Sequence, residues 1–400
     1  MKEGWEIKKL GEICSITDGS HNPPKGVEYS DYRMLSSQNV QNGYLDMDKV
    51  RYLSEEDFRN ENKRTQAKKG DVLLTIVGTI GRTCVLNGYE ENITFQRSVA
   101  ILSPKSGIDS HFIMYNLLSL NSFLNKEANG AAQKGIYLKQ LAKVPIGLPP
   151  MSEQQRIVDI LDAEFEKIDR LRSNAELNLR HAKDLFQAAL KEVFAVQERC
   201  PSMTIEQTCS FQNGFAFKST TFTTSGEPIL RISDIQNDVV VDNSVVYFNP
   251  KSYKEDLSRF KVYPDDILIA MSGGTTGKIG INRTGKTFYL NQRVGVFREK
   301  KDVLNHMYLF YYLHTKSDES LKIAAGAAQP NLSTQQIKGF VLPVPSLPEQ
   351  QTIVKMLDDL NAKCKILQDN YTKTITLCDD LKQSLLRKAF HGELSGETAS

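Results

Sequence analysis

One stretch of the chain occurs twice, and this repeat restricts the possible folds more than any other feature. The first copy runs Leu148-Pro149-Pro150-Met151-Ser152-Glu153-Gln154-Gln155-Arg156-Ile157-Val158-Asp159-Ile160-Leu161-Asp162. The second runs Val344-Pro345-Ser346-Leu347-Pro348-Glu349-Gln350-Gln351-Thr352-Ile353-Val354-Lys355-Met356-Leu357-Asp358. The offset of 196 residues, from Leu148 to Val344, persists in both directions. Upstream, Gly130-Ala131-Ala132-Gln133 answers Gly326-Ala327-Ala328-Gln329; downstream, Leu171 answers Leu367, Asp184-Leu185 answers Asp380-Leu381, and Phe194 answers Phe390. A period this long excludes a solenoid and predicts two duplicated domains, each followed by a long helix.

Within the first repeat, Val72 to Val77 and Ser98 to Leu102 read as strands, with Gly70-Asp71, Gly78, Gly81 and Asn87-Gly88 as turns. Residues 110–127 read as a helix capped by Asp109 or Ser110. In the second repeat, Asp266 to Met271 answers Asp71 to Ile76, and Asn291-Gln292-Arg293-Val294 answers Phe95-Gln96-Arg97-Ser98. Ser152-Glu153-Gln154-Gln155 fits a capping box in which Ser152 and Gln155 exchange hydrogen bonds. The second long helix starts near Pro348.

Both helices carry apolar or small residues at alternating steps of four and three. The first seam is Leu161, Phe165, Ile168, Leu171, Ala175, Leu179, Ala182, Phe186, Ala189 and Val193. The second is Ile353, Leu357, Leu360, Cys364, Leu367, Tyr371, Thr374, Cys378, Leu381 and Leu385. Such a seam must be covered. The reading is therefore α+β, with two duplicated mixed α/β domains separated by an antiparallel two-helix coiled coil, each helix about 60 Å long. Domain boundaries fall at 1–147, 148–198, 199–343 and 344–392, with a tail at 393–400. Paired helices with twin heads suit a partner touched at two places, and DNA is the extended polymer of that kind.

Composition adds limits. The chain has 50 basic and 48 acidic residues, so its net charge of +2 identifies no partner. The six cysteines (Cys14, Cys84, Cys200, Cys209, Cys364, Cys378) form no C-x-x-C pair and read as reduced, buried thiols. No apolar run approaches the roughly 20 residues that span a bilayer. A cytoplasmic protein without a membrane partner is expected.

The search for catalytic chemistry returns lookalikes. Asn22-Pro23-Pro24-Lys25 resembles the N-P-P-aromatic loop of adenine-N6 methyltransferases, but Lys25 cannot stack on an extruded base. Ser272-Gly273-Gly274-Thr275-Thr276-Gly277-Lys278 looks like a phosphate loop without its opening glycine and closing hydroxyl. The histidines show no metal spacing, and no metal is assigned. Planar or polar residues on turns are candidate base readers, since Arg and Lys suit guanine and Asn and Gln suit adenine. In the first domain these are Ser20, His21, Arg33, Gln38, Asn39, Arg82, Gln96, Arg97, Gln133, Lys134 and Tyr137. In the second they are Asn213, Phe215, Arg231, Ser233, Asp234, Lys278, Asn291, Gln292, Arg293, Gln329 and Asn331.

At the two proline-Glu-Gln-Gln-x-Ile-Val motifs the chain strongly resembles the specificity subunit of Type I restriction-modification enzymes. The Ile16-Thr17-Asp18-Gly19-Ser20-His21 opening and the Leu386-Arg387-Lys388-Ala389-Phe390-His391-Gly392-Glu393-Leu394 close share that resemblance. It implies two target-recognition domains that each read half of a bipartite, asymmetric sequence in double-stranded DNA. It also implies helices that space them and dock two methylation subunits, through Glu153, Gln154, Gln155, Leu161, Ile168, Glu349, Gln350, Gln351, Leu357 and Leu367. Restriction subunits complete the complex. The chain itself is expected to be non-catalytic, with S-adenosylmethionine, ATP and Mg held by partner subunits. Two rival readings are a coiled-coil scaffold with twin protein-binding heads and a stand-alone DNA methyltransferase. The second domain has Gln212-Asn213-Gly214-Phe215 in place of Asp-Gly-Ser-His, so its contacts transfer less directly.

Overall fold

The computed structural model describes residues 4–88, 91–128, 134–196, 200–236, 238–243, 245–325 and 331–394. These fall into two compact units, Met1–Ala175 with Lys373–Ser400, and Glu176–Thr372.

In the first unit a four-stranded antiparallel sheet has the order Cys14–Asp18, Val99–Pro104, Val72–Thr75, Thr83–Val85. A three-stranded sheet places Tyr32–Leu35 between Arg51–Leu53 and, in parallel, Ile93–Phe95. Side chains alternate across a strand. Val72 and Leu74 therefore join the core under helix Ser110–Ser119, while Leu73 joins Leu35, Phe95 and Ile101 in a second core. Burial on both faces explains why this strand reads as an unbroken apolar run. The second unit repeats the plan. Ile267 and Ile269 face one core and Leu268 and Ala270 the other, and the central sheet grows to six strands by adding Asp238–Val240 and Ile235–Gln236.

Helix Ser110–Ser119 is capped by Asp109, whose side chain accepts from Phe112 N at 2.9 Å. The expected single helix over 110–127 is broken at Leu120, and a second runs Asn121–Glu127. The break falls where Asn121 turns toward the Gly81 carbonyl at 3.4 Å.

The long helices span Met151–Val196 and Leu347–Phe390. The expected Ser152–Gln155 capping box is absent. The Pro150 carbonyl already accepts from Gln154 N at 3.0 Å, so the helix begins before Ser152, and Gln155 donates to Asp159 at 3.1 Å. At the second helix one half of such a box forms, with Glu349 accepting from Ser346 N (2.9 Å) and Oγ (2.6 Å). In the first unit the helices run antiparallel. Arg156 bonds the Leu394 carbonyl, Lys382 pairs with Asp169, and Arg172 pairs with Asp379. In the second unit Leu190 and Phe194 share a core with Ile353 and Leu357.

The buried ridge follows one residue per heptad: Leu161, Ile168, Ala175 and Ala182 on one helix, Leu357, Cys364 and Cys378 on the other. Leu171, Leu367 and Leu381, expected on the seam, stand 52%, 39% and 48% exposed. Alanine and cysteine at the ridge keep it narrow, which leaves the alternate positions on its flank. None of the six cysteines, all among the described residues, is in a disulfide, and Cys200 is only half-buried. Burial pushes the Cys14 and Cys209 thiols up, to about 12 and about 11.

Gln154 and Gln350 explain the repeated motif. Gln154 is buried; its Oε1 accepts from Asp109 N (2.9 Å) and its Nε2 donates to the carbonyls of Pro149 (3.0 Å) and Gly107 (3.3 Å). Gln350 does the same with Asn305 N (2.7 Å), Pro345 O (2.8 Å) and Val303 O (3.0 Å). Two turns on, Tyr115 donates to Asp162 and Tyr311 to Asp358. Replacing Gln154 or Gln350 with leucine strands a buried N–H and two carbonyls. Each change is expected to cost about 1–3 kcal/mol of unfolding free energy in urea titration. The exposed Gln351→Leu change should stay within about 0.5 kcal/mol.

Candidate nucleic-acid interface

In each unit the first sheet strand ends at a glycine that no other residue can replace. A Cβ on Gly19 would lie 2.0 Å from the Phe95 carbonyl oxygen, and one on Gly214 would lie 2.1 Å from that of Leu290. The close approach lets Ser20 N donate to Phe95 O (2.8 Å) and Arg97 N to Ser20 O (2.8 Å). In the second unit Phe215 N donates to Leu290 O (2.8 Å) and Gln292 N to Phe215 O (2.9 Å). Gln96 therefore corresponds to Asn291 and Arg97 to Gln292. The sequence pairing of Phe95 with Asn291 is out by one residue, because the two copies differ in turn length between strands.

Beyond Gly19 the first unit has a cleft of about 580 Å³, lined by Asp18, His21, Arg64, Arg97, Tyr137 and Lys139 among others. Asp18 is buried at its base. Its carboxylate takes His21 Nε2 at 2.9 Å on one oxygen and the Arg64 guanidinium on the other, and Arg64 Nε also donates to the Asp18 carbonyl at 3.2 Å. The cleft thus carries three cationic side chains, Arg64, Arg97 and Lys139, which suits a polyanion. Arg97 and Tyr137 are exposed, Tyr137 at 71%. Sequence reasoning missed Arg64 and Lys139. Arg64 sits on helix Glu55–Thr65, and only the fold brings it to Asp18.

The other candidates divide. Gln38, Lys134, Asn213, Ser233, Lys278, Gln292, Arg293 and Asn331 are exposed, whereas Arg33, Arg82, Gln96, Arg231 and Asn291 are half-buried and Ser20 is buried. Arg82 and Lys278 hold equivalent places: Thr75 N donates to Arg82 O and Ala270 N to Lys278 O, both at 2.9 Å. Each follows a glycine of positive φ, Gly81 (92°) or Gly277 (83°). Gln133 and Gln329 lie outside the described residues.

Three candidates are structural instead. Asn39 is buried, accepting from Ser36 N and donating to Asp46 O and Lys49 O. Asp234 is buried, accepting from Arg231 N (2.7 Å) and Ser233 Oγ (3.1 Å), and burial raises its carboxyl above the usual range. Phe215 packs edge-on against Phe217 (5.1 Å) and Tyr253 (5.3 Å). Short polar side chains and aromatics beside turns have the same composition whether they face inward or outward.

On the helices, Leu161, Ile168 and Leu357 are buried, Glu153 is half-buried, and Gln155, Glu349 and Gln351 are exposed. Gln154 and Gln350 are spent on their own units, so they present nothing to a docking partner.

The profile of the Type I restriction modification DNA specificity domain matches residues 2–179 and again 199–377. The chain belongs to this family. Among its relatives, the Type I restriction enzyme MjaVIII specificity subunit of Methanocaldococcus jannaschii is 23% identical, covering 90% of this chain and 87% of the relative. The EcoKI specificity subunit of Escherichia coli K12 is 22% identical, covering 99% and 90%. Two solved structures share the fold. One is a chain from work on complex assembly and conformational transition of the type I R-M system (TM-score 0.76, 18% identity, 98% and 99% covered). The other is the HsdS subunit from Thermoanaerobacter tengcongensis (TM-score 0.57, 17% identity, 98% of each chain covered).

Arg82→Ala and Lys278→Ala are each expected to lower the salt slope of DNA binding by about 1, as loss of a phosphate contact does. Titration of duplex DNA at several salt concentrations measures this. Phe215→Ala should instead lower stability by about 2–3 kcal/mol through lost aromatic packing, seen in denaturant unfolding.

Proposed function

We propose that this chain is the DNA-recognition subunit of a Type I restriction-modification complex. Each unit reads one half of a bipartite, asymmetric target in double-stranded DNA. The long helices space the two readers and dock two methylation subunits, and restriction subunits join the full assembly. The chain is non-catalytic in this reading. Methyl transfer from S-adenosylmethionine, and ATP- and Mg-dependent steps, belong to the partner subunits, and the complex works in the cytoplasm.

One observation carries the reading. The two units share a backbone frame down to the Gly19 and Gly214 crossings, yet equivalent positions beside the crossing hold different side chains, Asp18 against Asn213 and His21 against Ala216. A shared frame with a varied rim is what two readers of unlike half-sites require, since bases are told apart by the donors and acceptors at their edges.

Methylome sequencing of a host carrying this chain with its methylation subunit should return one bipartite motif. Exchange of residues 199–343 for the corresponding stretch of a relative should change one half of that motif and leave the other intact. Changes in both halves, or in neither, would count against separate readers. Binding of S-adenosylmethionine to the isolated chain would count against the non-catalytic role.

A further inference from the structure

Resting on the assignment of the first unit as a DNA reader, we infer that His21 specifies one base of its half-target. Its ring nitrogen Nδ1 accepts a hydrogen bond from the exocyclic amino group of an adenine or a cytosine in the major groove.

The argument begins at Asp18. Its carboxylate only accepts hydrogen bonds, so the imidazole nitrogen 2.9 Å away, Nε2, must carry the hydrogen. Arg64 fixes the carboxylate from the other side and also holds the Asp18 carbonyl, so Asp18 cannot turn away from the ring. Arg64 Nη2 is 3.5 Å from His21 Nε2, too far to compete with the Asp18 bond. With Nε2 committed, the neutral ring has Nδ1 as its remaining polar atom, and Nδ1 is an acceptor. The His21 side chain is 52% exposed and lines the cleft.

In the major groove the amino donors are adenine N6 and cytosine N4. A single oriented acceptor therefore separates amino-bearing from keto-bearing bases. Arg97 and Lys139 at the rim suit the flanking phosphates, and the exposed Tyr137 ring offers a flat apolar face beside them.

The second unit cannot use this device. Asn213 pairs with Gly295 as Asp18 pairs with Ala100, so asparagine stands where the carboxylate would be. Three residues on, Ala216 replaces the histidine, and Gln292 stands for Arg97. The two halves of the target are thus read by different chemistry.

The test uses the full chain assembled with its methylation subunits, bound to duplexes randomised across both half-targets. His21→Ala should relax discrimination at a single base pair of one half-target by roughly tenfold, the scale of one base contact. His21→Gln keeps an acceptor and should retain the amino-bearing base. Asp18→Asn is the sharper variant. Its amide oxygen must face Arg64, so its NH2 faces His21, and the ring is driven to the other tautomer. Nδ1 then donates, and preference at that same pair should move toward guanine or thymine. Unchanged discrimination at the other half-target, within the same complex, reports that each variant is folded and assembled. Wild-type preference at every position in both His21→Ala and Asp18→Asn would overturn the proposal while leaving the DNA-reading assignment intact. Loss of the whole half-target in both variants would also overturn it, by making the pair a scaffold element. A wild-type complex with no preference at any position would refute the underlying assignment itself.

Discussion

A buried glutamine joins each long helix to its unit. Gln154 and Gln350 accept from the backbone N–H of an inner helix cap and donate to one carbonyl on the approach to the long helix and one just before that inner helix. A buried amide side chain is tolerable only when its donors and acceptor are met, because an unmet polar group in a low-dielectric interior costs as much as the bond would contribute. Here they are met in both units by the same three kinds of partner. The bonds fix the direction in which the long helix leaves its sheet, and the Tyr115–Asp162 and Tyr311–Asp358 bonds repeat the constraint two turns further on. The neighbouring Gln155 and Gln351 are exposed, so the adjacent glutamines of the motif have separate work.

The same division between a fixed frame and a free rim holds at the crossing glycines. Backbone hydrogen bonds and the absence of a Cβ at Gly19 and Gly214 bring two chain segments into contact without using any neighbouring side chain. Side chains just beyond the crossing can therefore change while the fold stays. In the first unit they form a charged cleft around Asp18. In the second, Phe215 turns inward and joins an aromatic cluster with Phe217, Tyr253 and Phe260.

Part of this was legible in the chain before folding. The duplication, the two long helices and the doubly buried strands follow from apolar spacing and from turn residues, because a helix or a strand must hide one face or both. Their finer alignment was less legible. The copies pair at an offset of 196 over the Glu-Gln-Gln motifs, but Gln96 and Asn291 pair one residue closer, since turns can lengthen without disturbing the strands they join. Leu171, Leu367 and Leu381 fit the heptad yet stand on the flank of the ridge, because alanine and cysteine at its centre keep it narrow.

The sequence by itself determined the architecture, the family and a set of candidate polar residues, for these depend on local spacing and on side-chain chemistry. Only the tertiary structure decided which of those residues face outward. Asn39 and Asp234 are turned in to satisfy backbone groups, while Arg64, with no local mark to single it out, is carried from a helix to the carboxylate of Asp18. The physical reason is that hydrogen-bond partners distant in the chain are chosen by packing, and packing is not written in the neighbours of any one residue.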